Sequence, residues 1–308
     1  MQTSYPDTRN QGVLFGIVAY FLWGSFPLFF KALHGATPLE IVCHRIFWSM
    51  VFLFSLLFIK KQLCELWPIF KDRATLLTLC GSTLLIATNW LVFLYAIQRG
   101  EVLQSSLGYF ITPLLSMLLG FLFLRERLNA WQTISVFLAI IGVLNLTFRY
   151  GEFPWIALIL ACSFGLYGLL RKLAKVDAMV GLTVETALLG PLALGYILWL
   201  SFSRQGTFFT GELRLDMLLP LSGVVTAVPL LLFVGAARRL QLTTIGFLQY
   251  ITPSLHFLIA IGIYHEPFSG SQFTSFLFIW LGLIIYSVNA LWKNKPPKKP
   301  AVFEKQIQ

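Results

Sequence analysis

The stretch GYFITP at residues 108–113 recurs as LQYITP at residues 248–253. Both copies lie inside long apolar runs, and each puts a proline where a helix would otherwise continue. Proline has no N–H to donate and its ring crowds the carbonyl four residues earlier, so it bends or breaks a helix. The offset between Pro113 and Pro253 is 140 positions, and the same offset, without a gap, aligns much of the surrounding sequence. Ser82 meets Ser222, Phe93 meets Phe233, Arg99 meets Arg239, Glu126 meets Glu266, Gln132 meets Gln272 and Gly142 meets Gly282. Leu and Phe matches between two apolar sequences arise by chance; matched Arg, Glu, Gln and Pro at one offset do not. The chain reads as two homologous halves.

Composition says where those halves reside. The chain has 308 residues, 57% hydrophobic and only 12% charged, with mean hydropathy +0.77. A soluble domain of this size needs far more charge on its surface, so an all-α polytopic membrane protein is expected. A ruler of about twenty apolar residues per crossing gives ten spans, near 11–33, 38–59, 74–98, 102–124, 129–149, 154–171, 178–201, 215–237, 241–264 and 270–292. The polar start MQTSYPDTRN and a full-length first span are unlike a cleaved signal peptide.

With the N-terminus placed in the cytoplasm, 17 of the 23 Lys and Arg residues fall on that side, four fall outside, and Lys31 and Arg45 lie within spans. This asymmetry obeys the positive-inside rule and puts both termini in the cytoplasm. It also explains the net charge of +10 without nucleic acid: the basic tail WKNKPPKKP is a topology anchor facing anionic lipid headgroups. Residues 1–150 and 151–295 then form two five-helix repeats, followed by a basic cytoplasmic tail, 296–308. Five spans per half is odd, so the halves are inverted, a layout of secondary transporters with a site at the repeat interface. In the first two spans of each half the match is weaker: FLWG at 21–24 faces GLYG at 165–168, and His44 falls opposite Glu185.

The segments AYFLWGSFPLFFK, EIVCHRIFWS, NWLVFLYAI, SSLGYFITPLLSMLLGFLFLRERL, GLYGLLRK, ETALLGPLA and GFLQYITPSLHFLIA resemble the RarD proteins. These are bacterial members of the EamA group in the drug/metabolite transporter superfamily. The resemblance covers nearly the whole chain in motif order. It implies a ten-helix inverted-repeat permease for small metabolites or drugs in the bacterial inner membrane. RarD proteins are conventionally labelled chloramphenicol-sensitive, which leaves the physiological solute and any coupling ion open.

Polar groups inside spans are costly and usually face a bundle interior or a cavity. Arg45 lies seven residues after Pro38, about 10 Å down its helix at 1.5 Å per residue; it either snorkels to the outer interface or enters a cavity. His44 suits a proton-coupled step or a hydrogen bond between helices. Glu185 reads as the only carboxylate plainly inside a span, either carrying a proton or paired with a cation. Trp23, Asn89, Trp90, Tyr109, Tyr167, Gln249, Tyr250 and His256 offer amides, imidazole, phenols and aromatic faces for a partly apolar solute, or simply pack helices. Pro113 and Pro253 are expected to bend two helices beside that cavity. Glu126 and Glu266 lie at span junctions on opposite sides of the membrane, which suits capping of the following helices rather than catalysis.

Cys43, Cys64, Cys80 and Cys162 have no metal-ligand spacing. No phosphate loop or nucleophile elbow occurs, so neither metal, cofactor nor enzymatic activity is expected. The alternative to a carrier is a membrane sensor or accessory subunit with a vestigial cavity.

Overall fold

In a computed structural model, residues 8–99, 102–150, 153–263 and 270–293 are described. The helices are α1 (Thr8–Gly24), α2 (Phe26–Lys31), α3 (Pro38–Ile59), α4 (Leu66–Lys71), α5 (Arg73–Gln98), α6 (Val102–Leu124) and α7 (Ala130–Tyr150). They continue with α8 (Trp155–Leu173), α9 (Ala178–Phe202), α10 (Leu213–Arg239), α11 (Leu242–Gln249), α12 (Ile251–Gly262) and α13 (Gly270–Lys293). No strand occurs among the described residues.

Among the described residues, seven stretches are long and apolar enough to cross a membrane, fewer than the ten spans expected from the sequence. α7 and α13 carry shorter apolar stretches, Ala130–Asn145 and Phe273–Asn289. The ninth expected span is split at Tyr250 into α11 and α12. Large apolar side chains face outward, with Leu84 68%, Leu192 75% and Phe137 63% exposed. Water would not tolerate such a belt; hydrocarbon does.

Local chemistry sets the helix ends. Pro38 opens α3 after Thr37, whose hydroxyl accepts the Glu40 N–H. Asp177 accepts the Met179 N–H at the start of α9. At α7, Asn129 and Gln132 each accept the other's backbone N–H, a reciprocal capping box. The break between α1 and α2 falls at Ser25, and Pro27 in the first turn of α2 has no N–H to carry the α1 hydrogen-bond ladder onward.

The two proline-bearing segments behave differently. α6 runs through Pro113 without interruption, whereas the chain breaks at Tyr250, three residues before Pro253. There the Tyr250 N–H turns to Phe247 O at 3.3 Å. α11 packs against α6, with Tyr250 Oη donating to Phe110 O at 3.4 Å and Ser116 Oγ to Gln249 Oε1 at 3.2 Å.

Elsewhere α1 packs on α10 and α12, α3 on α9 and α10, α8 on α5 and α6, and α7 on α13. The α7–α13 crossing is close because each helix places a glycine at the contact. A Cβ on Gly142 would lie 2.7 Å from Ser275 O, and one on Gly282 would lie 2.7 Å from Ser135 O. Small residues of this kind let membrane helices approach backbone to backbone.

Candidate functional site

At the meeting point of α1, α2, α3, α5, α6, α8, α10, α11 and α12 lies a cavity of about 460 Å³. That size suits a small organic molecule, and its walls are mostly apolar and aromatic with a few polar groups, the usual make-up of such sites. Seven of the eleven cavity candidates line it: Trp23, Arg45, Asn89, Trp90, Tyr109, Gln249 and His256. Residues more than 200 positions apart meet here because α12 folds back on α1. His256 Nε2 donates to Trp23 O at 3.2 Å, and Thr252 Oγ1 to Tyr20 O at 2.9 Å.

Arg45 is part of the cavity wall. Its Nε donates to Thr226 Oγ1 at 2.8 Å, and its guanidinium lies 5.1 Å from the Phe30 ring centroid, 5.5 Å from Trp90 and 5.9 Å from Phe26. Asn89 Nδ2 bridges α5 to α8 through Leu160 O and Ser163 Oγ, both at 2.9 Å. Tyr109 stands edge-on to Phe93 and His256.

The other four candidates lie behind the wall. Tyr250 is buried between α11 and α6. His44 is buried on another side of α3, where its Nδ1 accepts from Trp48 Nε1 at 3.2 Å within the same helix. Its ring packs 4.8 Å from Phe208 in the α9–α10 connection. Tyr167 stacks on Phe233 and donates to Glu185 Oε2 at 3.2 Å. Glu185 also accepts a short hydrogen bond from Ser82 and lies 3.5 Å from Arg171 Nε. Glu185 and Tyr167 line a much smaller void, and Ile86, Trp90 and Leu230 separate it from the cavity. Of the two prolines, Pro253 lines the cavity and Pro113 does not.

Two more carboxylates, Glu40 and Glu126, are buried, and one expectation needs correction, the helix that Glu126 caps. Glu40 Oε1 holds the α9–α10 connection through Thr207 N at 2.7 Å and Thr207 Oγ1 at 3.1 Å. Arg171, counted among the cytoplasmic cations, is fully buried against Glu185. Glu126 caps a helix, but that helix is α11 rather than the following α7. It accepts Leu242 N at 2.7 Å, Thr243 N at 2.9 Å and Thr243 Oγ1 at 2.8 Å. The left-handed turn at Arg125, φ 54°, aims it there. Glu266 lies outside the described residues.

Residues 10–148 match the EamA-like transporter family. Protein RarD of Escherichia coli is 40% identical over 290 residues, 94% of this chain and 98% of that protein. The chain belongs to the RarD group of the EamA family. An uncharacterized transporter, YojE, of Bacillus subtilis is 42% identical over 94% of this chain and 98% of its own length. A Pseudomonas aeruginosa protein named chloramphenicol-sensitive protein RarD is 32% identical, covering 90% of this chain and 93% of its own length. A solved crystal structure has the same fold with a TM-score of 0.68 at 16% identity, over 93% of this chain and 100% of that chain. RarD membership and the seven apolar helices make the chain a multi-pass protein of the bacterial inner membrane.

Proposed function

We propose that this RarD-group protein is a secondary carrier that moves a small organic solute across the inner membrane by alternating access. The observation that carries the reading is the central cavity, whose walls come from both halves of the chain. Ten spans in two inverted repeats, 1–150 and 151–295, with both termini and the 296–308 tail in the cytoplasm, are part of it. Several contacts support that layout. Shifted by 140 residues, the Gly142–Ser275 contact becomes the Gly282–Ser135 contact. The pairing of α1 with α10 has its counterpart in α8 with α5, and that of α6 with α8 in α12 with α1. The breaks at Ser25 and Tyr250 both border the cavity, where local bending would open one side as the other closes. Pro253 takes part directly; Pro113 acts through its contact with α11.

A proton-coupled step falls to Glu185 or His44, buried titratable groups behind the wall. The test is reconstitution of the purified protein in liposomes. Labelled amino acids, other metabolites and amphenicols are screened with and without a pH gradient. Uptake of at least one class is expected, and no flux of any solute under any gradient sinks the carrier reading. With a transported solute in hand, Glu185→Gln flattens the pH dependence if Glu185 carries the proton; an unaltered profile removes it from coupling.

A further inference from the structure

Arg45 is a cation whose charge the described protein does not balance. Thr226 holds its Nε, and Phe26, Phe30 and Trp90 surround the guanidinium. Those contacts fix the group and leave Nη1 and Nη2 without an acceptor among the described residues. No Asp or Glu among them lines the cavity. Each buried carboxylate is committed elsewhere: Glu40 to Thr207, Glu126 to the start of α11, and Glu185 to Ser82, Tyr167 and Arg171. An unpaired cation this deep in a membrane protein is expensive, and such residues mark solute pathways.

We propose that the transported solute is an amphipathic organic anion, with its carboxylate on Nη1 and Nη2 of Arg45 and an aromatic body along Trp23, Phe164 and Tyr109. This rests on the carrier reading and narrows it to one charge class. A guanidinium presents a planar fork that matches a carboxylate with two parallel hydrogen bonds. With aromatic rings packed around the group, the edge carrying Nη1 and Nη2 is the part left for a ligand. The remaining wall is aromatic and takes a ring by stacking and edge contacts. An organic ammonium would meet Arg45 with no carboxylate beside it, which selects against cations.

Three molecules of one shape make the test: 3-phenylpropionate, 3-phenylpropionamide and 3-phenylpropylamine, anionic, neutral and cationic at neutral pH. Binding to the purified full-length protein is measured by titration calorimetry, and uptake in proteoliposomes. The acid is expected to bind about ten- to a hundredfold more tightly than the amide, the range of a charged hydrogen-bonded contact, and the amine not at all. R45Q should erase the preference, and R45K, which keeps the charge without the fork, should keep part of it. Equal binding of acid and amide overturns the anionic class, and an acid preference that survives R45Q overturns Arg45 as the seat of the carboxylate; both leave the carrier reading standing. Failure of all three to bind overturns the anionic class as well. The carrier reading falls only if the broad liposome panel shows no flux. Should R45Q not fold, as judged by size exclusion, the acid-to-amide ratio of the wild type decides alone.

Discussion

Replacing Glu185 by glutamine tests whether its pairing with Arg171 holds the fold. Both side chains are buried, at 2% and 0% exposure. Arg171 Nη2 donates to Ala178 O at 3.1 Å, but Nε and Nη1 have no hydrogen-bond partner among the described residues, and the Glu185 carboxylate is 3.5 Å away. Glutamine keeps the shape and still accepts from Ser82, so the substitution isolates the charge. Breaking a buried pair from one side costs roughly 3–5 kcal/mol. The 3.5 Å separation puts E185Q at the lower end, about 3 kcal/mol. R171M leaves a carboxylate still served by Ser82 and Tyr167 and should cost about 2 kcal/mol. With both charges gone, R171M/E185Q should cost only about 1–2 kcal/mol, giving a coupling energy of about 3–4 kcal/mol. Reversible unfolding in bicelles by steric trapping measures all four corners. Single-mutant losses that add to within about 0.5 kcal/mol would refute the pairing as a stabilising unit.

Three further outcomes follow from the packing. Glu126→Ala strips two buried N–H groups at the start of α11 and one hydroxyl of their acceptor; a loss of about 3 kcal/mol is expected in the same assay, and E126Q should recover part of it. Gly282→Leu forces α13 off the Ser135 carbonyl and should destabilise by several kcal/mol through overpacking, whereas Gly262→Ala, with open space at its Cβ, should be tolerated. In single-cysteine variants, exposed Cys64 should react with a membrane-impermeant maleimide from the cytoplasmic side only, while buried Cys43 should stay unlabelled without denaturant. Labelling of Cys64 from outside would reverse the proposed topology.

Much of the helical layout was legible along the chain. Apolar run length, the prolines after Ser25 and Thr37, and the Asn129–Gln132 spacing are local signals, and they set where helices start and stop. The broken helix near Pro253 was legible too, because proline offers no N–H to the carbonyl four residues back. The matching proline did not break α6. At Pro113 the α11 backbone lies so close that a Cβ on Gly246 would be 2.6 Å from the Pro113 carbonyl. Sequence periodicity does not report such a close approach.

Seven of the eleven cavity candidates reached the wall because polar and aromatic residues are rare in spans and collect where lipid is absent. Tyr167, Tyr250, His44 and Glu185 were equally conspicuous in the sequence, and the structure put them behind it. The reason is the evenness of these helices: α9 is apolar on nearly every side, so its pattern does not indicate which face meets lipid, neighbour or cavity. Arg171 illustrates the limit. At the end of an apolar run it reads as an interfacial cation, and only the fold places it against Ala178, Gly181 and Glu185 of α9. Glu126 finds its helix 116 residues downstream, and Arg45 finds Thr226 across 181. The sequence by itself determined a membrane chain of repeated apolar helices with a family likeness, because hydropathy and proline act locally. Helix contacts between distant segments decided which charges pair and which one is left facing the cavity.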